Sequence, residues 1–299
     1  MPAVIRTSDL TKYYGKARGV IDLNLEVQPG EVFGYLGPNG AGKTTTIRLL
    51  LDFIRPSSGH AEVLGRDSHR DSIAIRRRTG YVPGDLVLYE NMTGRDLLRY
   101  FANLRGGVDP KRVTALAERL DLDLHRPIKA LSKGNKQKVG LVQAFMHAPE
   151  LLILDEPTSG LDPLVQQEFY RLLREVKAAG TTVFLSSHVM SEVEHVCDRV
   201  GIIRDGKLVL VDEVGRLKAN AVRRIEIEFM RPVPADVFTR LPNVSDVSVD
   251  NGFVRCTVSG PIDALIKTAA QFEVNTITSH EPDLEEIFLS YYGGERRAA

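Results

Sequence analysis

Tryptophan is absent, and cysteine occurs only twice in 299 residues, at Cys197 and Cys256. Two distant cysteines make neither a CxxC pair nor a disulfide framework, which fits a reducing cytosol. Net charge is missing too: 39 Lys+Arg offset 39 Asp+Glu, giving a formal charge of +0. A chain that wraps nucleic acid usually carries a basic excess, so no nucleic-acid partner is expected. No apolar run approaches the ~20 residues that cross a bilayer; the run 151–154 stops at Asp155. The opening MPAVIRTSDL lacks the apolar stretch of a secretory signal, so none is expected. Against these absences stand 43% hydrophobic and 26% charged residues, an ordinary globular balance with apolar material for one large or two average domains.

The first ~215 residues alternate strand-like and helix-like stretches. Residues 30–36 read as a buried strand, followed by a Gly-rich turn and a helical pattern from Lys43 to Phe53. The runs 151–154 and 182–185 suit a parallel sheet covered on both faces. Between them, Asp162 can cap a helix, Pro163 fits its first position and Gly180 the residue past its end. Residues 92–146 are mostly helical in pattern, so a helical insertion from about 80 to 146 is expected. After Lys218 the character changes. Ile225, Ile227 and Phe229 alternate as a half-exposed strand does, and Asn251-Gly252 between two more alternating runs is a hairpin signal. With helical stretches at 234–241 and 261–272, and Leu284, Ile287, Phe288 and Tyr291 at helical spacing near the end, the order β-α-β-β-α-β-α suggests a ferredoxin-like sandwich.

Gly37-Pro38-Asn39-Gly40-Ala41-Gly42-Lys43-Thr44 matches G-x-x-x-x-G-K-[ST]. Glycines let successive main-chain N–H groups face an anion without a Cβ in the way, and the following helix adds its positive end. Lys43 can then reach the β- and γ-phosphates, and the Thr44 hydroxyl can ligate Mg²⁺. A chain of this length matches the four fixed positions by chance about once in a hundred. Asp155, at the end of an apolar run, can hold the Mg²⁺ shell, and Glu156 can orient or deprotonate an attacking water; the alternative is a strand ending in a solvated turn.

Further pieces follow in order: Leu131-Ser132-Lys133-Gly134-Asn135-Lys136-Gln137, then Asp155-Glu156-Pro157, Ser159-Gly160-Leu161-Asp162 and Ser186-Ser187-His188. This ordered set resembles the nucleotide-binding subunits of ABC transporters over roughly residues 4–215. The resemblance implies an α/β fold, a P-loop ABC ATPase domain (RecA-like core plus helical subdomain) over 1–218; the order of elements beyond it makes 219–299 a small α+β ferredoxin-like domain. It implies that ATP is bound by Tyr14, by 37–44 and by Thr45, and hydrolysed with Glu156, His188 and Lys43. Thr44 and Asp155 would serve Mg²⁺, the latter through water. Tyr14 would stack on adenine, with Tyr13 its competitor and one of the pair expected in the core. Ser132, Gly134 and Asn135 of the signature motif would face the P-loop of a second copy, or of a related subunit, across a head-to-tail dimer, with Asp162 in the D-loop.

Two departures stand out. The signature has Lys133 where glycine is usual and Asn135 where glutamine is usual. Gly84 takes the place of a glutamine that reaches Mg²⁺ and the attacking water. Asp85 substitutes for it, or water does, or coupling uses the backbone. In this family the helical insertion receives a separate integral membrane permease, which would hold the chain peripherally at the inner face of the cell membrane. Leu86, Val87, Leu88 and Tyr89 are candidates for that edge, with core packing of Leu86, Leu88 and Tyr89 as the alternative. The Lys-Gly-Asn-Lys signature and the ending Leu284-Glu285-Glu286-Ile287-Phe288-Leu289 resemble ATP-binding subunits of ABC-2-type exporters. An importer ATPase, a non-transport ABC ATPase and a nucleotide-sensing module without catalysis are the other readings.

Overall fold

Short runs that are apolar on every residue have to sit between two cores, because alternate side chains of a strand point to opposite faces. The computed structural model, which describes residues 2–220 and 223–280, bears this out. In chain order, β1 (Ile5–Tyr14) and β2 (Ala17–Val27) pair antiparallel, and β3 (Val32–Leu36) leads into α1 (Lys43–Leu50). Next come β4 (Ser58–Val63), β5 (Arg66–Asp67), α2 (Ser72–Arg78) and β6 (Thr79–Val82). Helices α3 (Gly94–Leu104), α4 (Pro110–Arg119) and α5 (Lys133–Phe145) follow, then β7 (Leu151–Asp155), α6 (Pro163–Ala178), β8 (Thr182–Ser187), α7 (Met190–Val196), β9 (Arg199–Arg204) and β10 (Lys207–Glu213).

The central sheet runs β10-β9-β3-β8-β7-β6, with β3 parallel to both β8 and β9, and β7 parallel to β6 and β8. Leu152 and Leu154 of β7 enter a core shared with α3, α4, α5 and α6, whereas Leu151 and Ile153 enter a second core with α1, β1 and β2. The second core is closed by an antiparallel sheet ordered β2-β1-β4-β5, which period-2 reading misses. Asp9 and Asp22 adopt positive φ and the β1–β2 register shifts between Thr7 and Leu10, so the alternation of side chains is broken there.

Two boundaries differ from expectation. Helix α1 stops at Leu50 rather than Phe53, because Asp52 turns left-handed at φ +57 and Phe53 N–H closes back on Arg48 O at 2.8 Å. Residues 79–82 belong to the parallel sheet, paired with β7, so the helical insertion begins after Val82 rather than at 80. At its edge the apolar segment divides: Leu86 covers Gly140 and Leu88 joins the core, while Val87 and Tyr89 face outward, Val87 with 86% exposure. Helix α6 matches its reading, capped by Asp162, opened by Pro163 and ended by Gly180 at φ +94.

The chain divides into two compact units, one up to Asp212 and one from Glu213 on. In the second, α8 (Val214–Asn220) precedes β11 (Arg223–Phe229), α9 (Asp236–Thr239), β12 (Val244–Asp250), β13 (Phe253–Val258), α10 (Asp263–Ala269) and β14 (Val274–His280). The antiparallel order β12-β13-β11-β14 is that of a ferredoxin-like split β-α-β. Ile225, Ile227 and Phe229 turn inward onto Phe238 and Leu265, and Asn251 and Gly252 both take the positive φ of a tight hairpin. The helical pattern at Leu284, Ile287, Phe288 and Tyr291 lies outside the described residues.

Candidate nucleotide-binding site

Helix α1 begins where β3 has delivered the chain to the end of the parallel sheet. Its cap position is Gly42, at φ +116, with no capping side chain and no acidic residue in the first turn. The first N–H groups of the helix therefore lack intrahelical acceptors and point, with the positive end of the dipole, at the loop 37–42. Only glycine fits at 42, since a Cβ would stand 2.8 Å from Gly19 O and the backbone is left-handed. Ala41, buried, fixes the loop by accepting Gly206 N–H at 2.9 Å.

Lys43 is 6% exposed, and its ammonium donates to Gly37 O at 2.6 Å and Pro38 O at 3.3 Å. The same nitrogen lies 3.5 Å from Glu156 Oε1. Asp155, at the end of β7, is 1% exposed; its Oδ2 accepts the Thr44 hydroxyl at 2.8 Å and its Oδ1 the Ser186 hydroxyl. Two hard oxygens so close to an uncapped helix start fit a divalent cation completed by water and phosphate oxygens. Glu156 takes φ +51, a strained setting for a residue with a Cβ, held by its N–H donating to Ser186 O at 3.0 Å. Its Oε2 meets His188 Nδ1 at 2.6 Å, so Lys43, Glu156 and His188 form a continuous row.

An open pocket of about 430 Å³ lies over this row, a size in the range of small-ligand sites. Of the residues expected from sequence, Pro38, Asn39, Gly40, Gly42, Lys43, Thr44, Thr45, Asp155 and Glu156 line it; Gly37 and Ala41 form the loop beneath. His188 reaches it through Glu156. Tyr14 does not line it but flanks Gly19, which does: a Cβ there would be 3.1 Å from Tyr14 Cε2. Tyr14 is 46% exposed with Lys12 over its ring, and Tyr13 is exposed as well, so neither tyrosine is the core residue expected of one of them. The pair ends β1, where both side chains reach solvent.

Ser132, Gly134, Asn135 and Asp162 lie apart from this pocket's lining. Ser132 caps α5 by accepting Asn135 N–H at 3.2 Å, which leaves its hydroxyl proton to donate. Gly134 abuts the D-loop so tightly that a Cβ would sit 2.3 Å from Gly160 O. The neighbouring lysines are engaged: Lys136 pairs with Glu90 at 2.9 Å, and Lys138 donates to Asp121 O at 3.1 Å. Asp162 accepts Val165 N–H at 3.0 Å, and that bond holds its carboxyl below the ordinary range.

Sequence reasoning gave no role to Arg18, Arg48, Tyr81 or Ser186, which also build the site. Ser186 had a signal, as a hydroxyl at the polar end of an apolar strand. Burial, with the Asp155 charge next in size, pushes the Tyr81 hydroxyl up to about 12. Gly84 and Asp85 line the pocket, and a Cβ on Gly84 would stand 3.2 Å from Asp155 Oδ2. At this position the missing side chain lets the backbone approach the carboxylate.

The family described as ABC transporter matches residues 20–159. A bacitracin transport ATP-binding protein of Bacillus licheniformis is 37% identical over 98% of this chain and 99% of its own length. A linearmycin resistance ATP-binding protein of Bacillus subtilis is 30% identical over 97% of this chain and 98% of its own. Among solved structures, an ATP-binding subunit of an ABC transporter superposes with a TM-score of 0.67 at 31% identity, over 72% of this chain and 92% of that one. A dimeric ATP-binding cassette in a post-hydrolysis state, bound to ADP and Pi, shares the fold at 20% identity and a TM-score of 0.65, over 70% and 98%. The chain belongs to the ABC transporter family, as one of its ATP-binding, ATP-hydrolysing subunits.

Proposed function

We propose that this ATPase powers efflux through a separate integral membrane permease, closing head to tail with a second copy of itself, or with a related subunit, when ATP is bound. The observation that carries the chemistry is the row Lys43–Glu156–His188 beside the uncapped start of α1 and the Thr44–Asp155 pair. A triphosphate lying along α1 meets the N–H groups of residues 42–45 and the Lys43 ammonium, which exchanges Glu156 for phosphate oxygen. His188, hydrogen-bonded to Glu156, is one side chain away from a terminal phosphate in that pose. Glu156 is then left with a free oxygen to orient the attacking water and accept its proton, and His188 steadies the carboxylate. Thr44 and Asp155 would hold Mg²⁺, which when bound offsets charge on the β- and γ-phosphates.

Ser132 supplies its hydroxyl to the nucleotide of the facing subunit, so ATP favours the closed pair and phosphate release opens it. Tyr14 stacks on the adenine beyond Gly19. The permease is taken up by the helical insertion, where Val87, Tyr89 and Leu104 are exposed. A second pocket of about 180 Å³ nearby is lined by Arg76 and Arg105 with Phe53 and Tyr81, and by no carboxylate, which suits an acidic segment of the permease. Among the described residues no helix is long and apolar enough to cross a membrane, in keeping with peripheral attachment. Full-length relatives named for bacitracin transport and linearmycin resistance support an antibiotic-like cargo.

The test is MgATP turnover by the purified chain, alone and with its permease. Glu156→Gln should retain ATP binding, lose nearly all phosphate release and accumulate as a closed dimer on size exclusion with ATP. A native hydrolysis rate in that variant would remove Glu156 as the residue that activates water. Inverted membrane vesicles that take up a bacitracin-type antibiotic on adding MgATP would establish export; uptake by right-side-out vesicles would establish import instead.

A further inference from the structure

Glu192 in α7 has no part in the chemistry above, yet it is 6% exposed and its carboxylate bonds hydroxyls rather than a cation. Its Oε1 accepts the Thr158 hydroxyl, and its Oε2 accepts the Ser187 hydroxyl at 2.7 Å. Thr158 and Ser187 are buried as well. Thr158 follows Glu156 and Pro157 and begins the turn to the D-loop, with Leu161 N–H bonded to Thr158 O at 3.0 Å. Ser187 directly precedes His188, and its hydroxyl also accepts Val189 N–H at 2.9 Å, which sets the direction in which the chain leaves β8. One carboxylate therefore ties together the two segments whose side chains, Glu156 and His188, meet at 2.6 Å. The tie extends to α5, because Gln137 Nε2 donates to Pro157 O at 3.0 Å.

A buried carboxylate is expensive to desolvate, and two hydroxyl donors aimed at its two oxygens are what make it tolerable here. An apolar side chain would fill the same volume at less cost, so the polar group fixes geometry that packing alone would not. Glu156 needs such fixing, since its backbone is held at a positive φ. We propose that Glu192 is a positioning residue for ATP hydrolysis, which registers the segment bearing Glu156 against the segment bearing His188 and carries that register to the signature helix α5. The inference rests on the assignment of Glu156 and His188 made above.

The experiment is a set of variants in the full-length chain, read as kcat and KM for ATP beside thermal melting. Glu192→Ala should lower kcat about ten-fold or more with KM within about two-fold, because the phosphate loop is untouched. Glu192→Gln should restore most of kcat: its amide oxygen accepts one hydroxyl, and its NH₂ donates to the other. In a double variant, His188→Ala/Glu192→Ala should lose clearly less than the product of the two single losses, since Glu192 acts in part through the pair. If the two losses multiply, or Glu192→Ala melts normally and keeps kcat, the proposal is wrong. If Glu192→Ala does not fold, Ser187→Ala and Thr158→Val decide by the same split, each losing kcat and sparing KM, or each sparing both and overturning the idea. Native turnover in Glu156→Gln and His188→Ala would sink the underlying assignment; loss there with none at Glu192 would sink this inference alone.

Discussion

At the scale of single residues, the row proposed above as catalytic adjoins Asp155, and Gly84 is where a new side chain would crowd that carboxylate. Asp155 is fixed from two sides by the Thr44 and Ser186 hydroxyls, so it cannot give way when a side chain is built at 84. Gly84→Gln should lower ATP turnover several-fold, and Gly84→Ala should account for most of that loss, because the crowding begins at Cβ. Unchanged ATPase and transport rates in Gly84→Gln would show that this position does not tune the site. His147 offers a test of stability instead. Both of its ring nitrogens are buried, and burial, followed by the Arg105 charge, outweighs the main-chain contacts at Thr79 and Gln143 and pushes its pKa down to about 4 from an ordinary 6.5. The folded chain keeps His147 neutral while the unfolded chain protonates, so stability is intact above about 6.5 and is lost as pH falls from there toward 4. Melting temperature should drop between pH 7 and 5, and His147→Phe should flatten part of that drop; an identical pH profile in the variant would exclude His147 as a cause. Residues such as Lys43, Glu156 and His188 were legible because each stands at a fixed offset in a motif whose chemistry needs that residue type. Glu192 was not, and Ser186 only by its place at the polar end of an apolar strand, since a hydroxyl or carboxylate acquires its role only when the fold brings a partner from thirty or more residues away.

At the scale of elements, the parallel strands β3, β7 and β8 and helix α6 announce themselves through apolar runs, a cap, a proline and a closing glycine, whereas β6 does not. The antiparallel sheet does not, because bulges at Asp9 and Asp22 break the alternation by which such strands are read. What sequence could not convey is how closely two elements approach. The signature helix α5 and the D-loop meet backbone to backbone at Gly134 and Gly160. Exchanging a helical glycine for alanine ordinarily adds up to ~1 kcal/mol of stability. Here the new Cβ would lie 2.3 Å from a carbonyl oxygen that sits on a left-handed glycine, and no side-chain rotation relieves it. Gly134→Ala should therefore invert the usual sign, costing about 1–3 kcal/mol as overpacked sites do. ATP turnover should fall as well, because the start of α5 and the segment after Glu156 are pushed apart. Calorimetry showing a melting temperature at or above that of the native chain would mean that the D-loop yields freely.

At the scale of the whole molecule, the arrangement of the first unit bears on how many chains make one working site. The P-loop and Glu156, with His188 bonded behind it, share a pocket that Ser132, Gly134 and Asn135 do not line. If the signature of one copy completes the pocket of another, a head-to-tail pair contains two sites, each drawing its P-loop from one chain and its signature from the other. Lys43→Ala removes a P-loop, and Ser132→Arg replaces the signature hydroxyl with a bulky charge, so homodimers of either variant should be inactive. Mixed dimers differ: one site combines both defects, while the other joins an intact P-loop to an intact signature. Random exchange of equal amounts makes half the dimers mixed and half their sites intact, so turnover should recover to about a quarter of native if the sites act independently, and to less if both must fire. The measurement is phosphate release after mixing the two inactive proteins and cycling them through nucleotide-free conditions to let the dimers exchange. Recovery cannot come from a site confined to one chain, because no chain in the mixture carries both Lys43 and Ser132. Mixtures as inactive as their components, with mixed dimers demonstrated by differential tagging, would mean that the signature does not complete a neighbour's pocket or that one intact site is not enough; covalently linked tandem dimers with one or both sites intact would separate the two.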